Sequence, residues 1–213
     1  IAMANNDLVQ ARKFFERYLR YRPTDKSAME QLLKLDMQGG NRDATEEHVR
    51  QLLEVDPRNA LGNLVLAALQ TFRKEFSLAE ASLRISLESW GDPIVLNELA
   101  WLLASRGEYV ESLALIKESL AFSEKSGAAW DTAGYIYLQT GNLDEAEKAI
   151  QKALELKPDD AEVILHMAML LEKRGLYNQA ERLAEGLLTR PSELTPEAYE
   201  ALRELMKRLR ANT

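Results

Sequence analysis

Apolar and small residues fall along this chain at helical spacing, and the helices they predict recur. Within Gly127–Pro158, Trp130, Ala133, Gly134 and Tyr137 stand at i, i+3, i+4 and i+7, one face of an α-helix. Gly141-Asn142 then interrupts the pattern, because glycine reaches the positive φ that ends a helix at little cost. A second face follows in Leu143, Ala146, Ile150, Ala153 and Leu154, and Pro158 closes the segment, since proline has no place inside a continuing helix. Gly134 and Ala146 lack bulk, so they predict a close approach of the two helices, with Trp130 and Tyr137 filling the space beside it.

The same pattern returns along the whole chain. Gly107, Gly141 and Gly175 are spaced by 34 residues. Small residues run Ala11, Thr45, Ala79, Ser112, Ala146, Ala180 in steps of 34, 34, 33, 34 and 34, and Phe15, Val49, Leu83, Ile116, Ile150 and Ala184 keep the same steps. Three lines sharing one irregular step predict a stacked array of a single supersecondary unit, each copy packing on its neighbours. The units are 26–59, 60–92, 93–126, 127–160 and 161–191. Residues 1–25 read as the second helix of a truncated unit, with Ala11, Phe14, Phe15 and Tyr18 facing a neighbour that precedes Ile1. Residues 194–210 read as a capping helix, started by Thr195-Pro196 and carrying Tyr199, Leu202, Leu205, Met206 and Leu209 on one face.

Ala60–Asp92 breaks the pattern. It is one residue short, holds Asn63 and Gln70 where large apolar residues belong, and has Lys74 in place of the turn glycine. Leu61, Leu64, Ala68 and Phe72 form a stripe about one position out of phase. Either the first helix is rotated in the stack or the unit exposes an apolar patch; burying a leucine is worth about 1.5–3 kcal/mol, which favours rotation. Trp90, in the connector that follows, is expected to plug a gap between units.

Trp130, Ala133, Gly134, Tyr137, Gly141, Ala146, Ile150, Ala153 and Pro158 resemble the tetratricopeptide repeat signature. The other units keep part of it: Leu32, Gly40, Val49 and Pro57; Leu99, Ala100, Leu103, Gly107 and Ile116, with Ser112 and Glu124 off pattern; and Ile164, Met167, Ala168, Leu171, Gly175, Ala180 and Pro191. The resemblance implies an all-α fold, a right-handed α-α superhelix (solenoid) of about twelve helices including the cap, as one solenoid domain over 1–213. It also implies a concave groove lined by the first helix of each unit, at positions outside the packing signature. Those positions carry Asn97, Trp101, Asp131, Tyr135, His166 and Met169. The family's chaperone-binding members clamp a C-terminal carboxylate with lysine, asparagine and arginine. Here Asn97 alone matches part of that set, and Asp131 would repel a carboxylate. Trp101 and Tyr135 lie one period apart and are expected side by side, as anchors for a partner or as packing between helices.

Charge and chemistry narrow the class. The chain of 213 residues carries 27 basic and 34 acidic residues, a formal charge of −7 that disfavours broad nucleic-acid binding. Zero cysteines exclude disulfides and thiol chemistry. No run approaches the roughly 18 apolar residues of a membrane helix, so direct membrane insertion is not expected. His48 and His166 stand in different units without metal-ligand spacing, no glycine loop cradles phosphate, and no cofactor, metal site or enzyme activity is expected. The reading is a non-catalytic scaffold that binds a partner peptide or helix in the groove. By resemblance to bacterial family members its setting is an envelope, secretion or polysaccharide-export assembly; cytoplasm and periplasm both stay open. The alternative is a spacer or self-association module of a larger protein, with a homodimer formed through Phe14, Phe15 and Tyr18.

Overall fold

The computed structural model describes residues 2–212, and side chains from 7 to 211. Among the described residues the fold is all-α. After α1 (Ala2–Tyr21), helices come in pairs: α2 (Lys26–Gln38) with α3 (Arg42–Val55), α4 (Ala60–Phe72) with α5 (Phe76–Ser89), α6 (Pro93–Ser105) with α7 (Tyr109–Phe122), α8 (Gly127–Gln139) with α9 (Leu143–Leu156), and α10 (Ala161–Lys173) with α11 (Tyr177–Leu188). A single 3₁₀ turn at Pro191–Glu193 leads to α12 (Pro196–Asn212). The chain forms two compact units, residues 1–95 and 96–213.

Turn chemistry sets the helix ends. The link inside four of the pairs passes through Gly40, Gly107, Gly141 or Gly175 at φ between 66° and 84°. In the α4–α5 pair the same place is held by Lys74 at φ 61°, the one described non-glycine residue in the left-handed region. Side-chain caps start the first helices: Asp25 accepts from the Ala28 amide, Asn59 from Gly62, Ser126 from Ala129, and Asp160 from Glu162 and Val163. Thr195 caps α12 through the Ala198 amide.

In residues 1–95 the core gathers Met29, Leu33, Val49, Leu52 and Val65 from α2, α3 and α4. Here the expected rotation of α4 is not found. Asn63 is buried in its repeat position and donates its amide to the carbonyls of Pro57 and Asn59 at 3.0 and 2.9 Å. Gln70 accepts from Ser82 at 2.9 Å. With both polar groups satisfied, α4 keeps the register of the other first helices, and the out-of-phase stripe stays partly open. Leu61 and Leu64 are half-buried, whereas Ala68 and Phe72 are exposed. The Arg42 guanidinium covers the Phe72 ring at 3.6 Å. Trp90 is also a correction: it caps α5 with more than half its surface exposed and plugs no gap.

Residues 96–213 pack by the small-residue rule. Gly134 on α8 meets Ile150 on α9, where a β-carbon would lie 2.5 Å from Ile150 Cγ1. Ser112, where the pattern expects alanine, is fully buried and donates its hydroxyl to the Ala100 carbonyl of α6 at 2.5 Å. The far end is closed by Leu202, Leu205, Met206 and Leu209 of α12 against Ala168, Ala180, Ala184 and Leu187. Lys207 pairs with Glu204, three residues before it, and Arg208 reaches to Glu172 on α10, with both carboxylate oxygens engaged.

Candidate functional site

The site expected from the sequence falls within residues 96–213, on helices α6, α8 and α10. Each is the first helix of its pair, so equivalent positions stand side by side. The Trp101 and Tyr135 ring centroids are 4.9 Å apart and tilted by 53°. His166 completes a triangle, 5.2 Å from Tyr135 and 6.0 Å from Trp101. Trp101 and Tyr135 are half-buried, which leaves ring surface open to solvent.

The polar members of the set are held inside. His166 is 5% exposed and its Nδ1 lies 2.7 Å from Asp131 Oδ1, linking α10 to α8. Asp131 and Tyr135 are one helical turn apart on α8, so one imidazole touches both. Burial on its own lowers the imidazole pKa; the Asp131 carboxylate, through charge and hydrogen bond, outweighs it with help from Glu162 and Asp160, and the net shift is upward. Burial, aided by the Tyr109 phenol, also pushes the Tyr135 phenol upward, so that it stays a neutral donor at physiological pH.

Asn97 is nine-tenths buried, and its Oδ1 has no hydrogen-bond partner among the described residues. A buried acceptor left unpaired costs about 1–3 kcal/mol. Met169, one repeat after Tyr135, is half-buried and packs against two apolar clusters of residues 96–213. Thus the structure brings together Trp101, Tyr135, Asp131 and His166, and buries Asn97 with its acceptor shielded from solvent.

A second buried charge went unnoticed in the sequence. Asp36, its side chain fully buried, accepts from Arg12 of α1 at 2.7 Å and pairs with His48 of α3. It stands where the pattern puts the large apolar residues Leu103, Tyr137 and Leu171, and that substitution was the available signal. A cleft of about 400 Å³ also opens between α3 and α4 over Val49, Leu53, Leu66 and Leu69. The charges on its rim engage each other, Arg73 with Glu46 and Arg50 with Glu46.

Paired helices repeating every 34 residues, touching through small residues and turning at left-handed glycines, define a class of helical repeat scaffold. Residues 127–160 and 95–126 each match a tetratricopeptide repeat model. The chain is a tetratricopeptide repeat protein. The type IV pilus assembly protein PilF of Pseudomonas aeruginosa is 28% identical over 150 residues, covering 68% of this chain and 59% of its own length. The chain therefore spans less than two thirds of that relative. Among solved structures, a tetratricopeptide repeat protein of Parabacteroides merdae superposes with a TM-score of 0.70 at 20% identity, over 99% of this chain and 83% of the other. The Cut9-Hcn1 hetero-tetramer of APC/C gives 0.75 at 19% identity, over 96% and 41%. These two share the fold. Arrays of this kind are scaffolds for protein–protein interaction.

Proposed function

We propose that the chain is a non-catalytic scaffold that takes a segment of a partner protein, a peptide or a helix, on the face formed by α6, α8 and α10. Trp101 and Tyr135 are its anchors. The observation that carries this reading is the contact of two partly open aromatic rings on successive first helices, 4.9 Å apart and braced from behind by a buried ion pair. Large rings with fixed neighbours lose little freedom when they bind, which is why such residues dominate interface energetics. On this face Asp131 is engaged by His166 and Glu162 by Thr195. The face suits a segment that lays an apolar or aromatic side chain on the rings. The likeness to a pilus assembly protein supports a bacterial envelope assembly as the setting.

The test is capture of partners by the full chain and by Trp101→Ala/Tyr135→Ala, each checked by circular dichroism. Loss of a partner that a Val110→Ser control still captures supports the face; Val110 is 90% exposed on α7. Equal capture by a folded double variant rejects it. A second reading, self-association, draws on α1, where an exposed Phe14 stacks on Tyr18 and meets Phe15 edge-on. Light scattering over a concentration series decides that reading: a dimer abolished by Phe14→Glu supports it, and a monomer at all concentrations removes it.

A further inference from the structure

We propose that His166 is the positioning residue of the aromatic face, fixing the arrangement of Trp101 and Tyr135 through Asp131 and coupling that arrangement to its own protonation. The proposal rests on the reading that this face receives a partner, but its test needs none. One imidazole of α10 reaches both of the other helices at this point. Its Nδ1 is 2.7 Å from Asp131, its ring is 5.2 Å from Tyr135 on the same helix, and 6.0 Å from Trp101 on α6. At 5% exposure it has no room to contact a partner itself. Its work is done on its neighbours.

Protonation changes what those neighbours meet. As imidazolium, His166 neutralises a carboxylate that is itself only 9% exposed and presents a cation to two aromatic rings, both favourable in a site shielded from water. As neutral imidazole it still hydrogen-bonds Asp131, but leaves the carboxylate uncompensated and removes the cation from the rings. The charged groups that set the balance are Asp131 from α8, and Asp160 and Glu162 from the start of α10. Tyr135 from α8 is neutral, α6 contributes the Trp101 ring, and α9, α11 and α12, which also pack on α10, supply none of the charges that move it. Because the folded-state pKa is raised, the ion pair's contribution is complete below the unfolded histidine value and is lost as pH rises through the raised value. The ring arrangement follows the same course.

The experiment is an NMR titration of the full chain, following the His166 ring carbons, the Trp101 indole N–H and the Tyr135 ring. His48→Gln and Trp101→Phe spectra supply the assignments. The expected result is a His166 midpoint above the ordinary histidine value, with the Trp101 and Tyr135 signals moving at that same midpoint. In His166→Gln, which keeps a hydrogen bond to Asp131 but cannot titrate, both ring signals lose their pH dependence. In Asp131→Asn the His166 midpoint falls. Ring signals that stay fixed while His166 titrates overturn the proposal, as does a midpoint at or below the ordinary value. Should either variant fail to fold, the wild-type titration decides alone. Failure here leaves the Trp101→Ala/Tyr135→Ala capture test untouched, and the reverse also holds.

Discussion

Gly134→Ala puts the packing rule to its hardest test. In a helix with open space beside it, exchanging glycine for alanine gains about 1 kcal/mol of helix propensity. At Gly134 the new β-carbon would lie 2.5 Å from Ile150 Cγ1, 3.3 Å from the Ile150 backbone nitrogen and 3.5 Å from Cδ1. Ile150 is fully buried and β-branched, so it has little freedom to swing aside and α8 and α9 must separate. Overpacking of this kind costs about 1–3 kcal/mol, which offsets the propensity gain and leaves a net loss of up to about 2 kcal/mol. For a chain of this length that lowers the melting temperature by up to about 8 °C. Gly186 in α11 is the internal control, because a β-carbon there meets nothing within 4 Å. Urea and thermal unfolding followed by circular dichroism measure both variants, and hydrogen exchange in α8 and α9 locates the loss, since repeat arrays open locally. The reasoning is refuted if Gly134→Ala stabilises as much as Gly186→Ala does.

At the irregular turn, Lys74→Gly relieves the one described non-glycine left-handed residue and should stabilise by about 0.5–1 kcal/mol; an unchanged or lowered melting temperature counts against it. Asp36→Ala strands Arg12 and His48, and because Arg12 is 35% exposed and also meets Glu16, the loss should be about 2–3 kcal/mol rather than the full cost of a buried pair. Combining Asp36→Leu with Arg12→Met and His48→Leu should recover most of it, read by denaturation and by exchange in α1–α3; no recovery would show that the charges, not the packing, hold this end.

The fold was legible because a repeat imposes the same steric demand at every copy. A glycine or alanine at the closest contact and a glycine at the turn recur at fixed steps, and the helix pairs follow. The juxtaposition of Trp101 and Tyr135 came from the same rule, since one period separates them. What escaped were features that depend on a partner the period does not name. Asp131 and His166 are 35 residues apart, one step off the period, so the period does not name them as partners. Asn63 and Gln70 looked misplaced because their partners, Pro57, Asn59 and Ser82, belong to a loop and a neighbouring helix. Trp90 is large and apolar, yet its place as the last cap of α5 leaves it in solvent.

The two buried aspartates show how the same pair of residue types serves two ends. Asp36 replaces a large apolar residue inside a repeat, and its partners come from α1 and from the second helix of its own pair. Such a pair holds neighbours together, and an apolar set of equal volume can stand in for it. Asp131 does not replace a packing residue. It lies on the surface that first helices turn away from their own partners, and its histidine comes from the first helix of the next pair. An apolar substitute there would fill space but could not join two successive helices through a charge-assisted hydrogen bond. Burial and pairing alone therefore do not separate a structural charge from a functional one. On the proposed reading, what separates them is the company each keeps: Asp36 is enclosed by packing, whereas Asp131 and His166 lie against two rings that remain partly open.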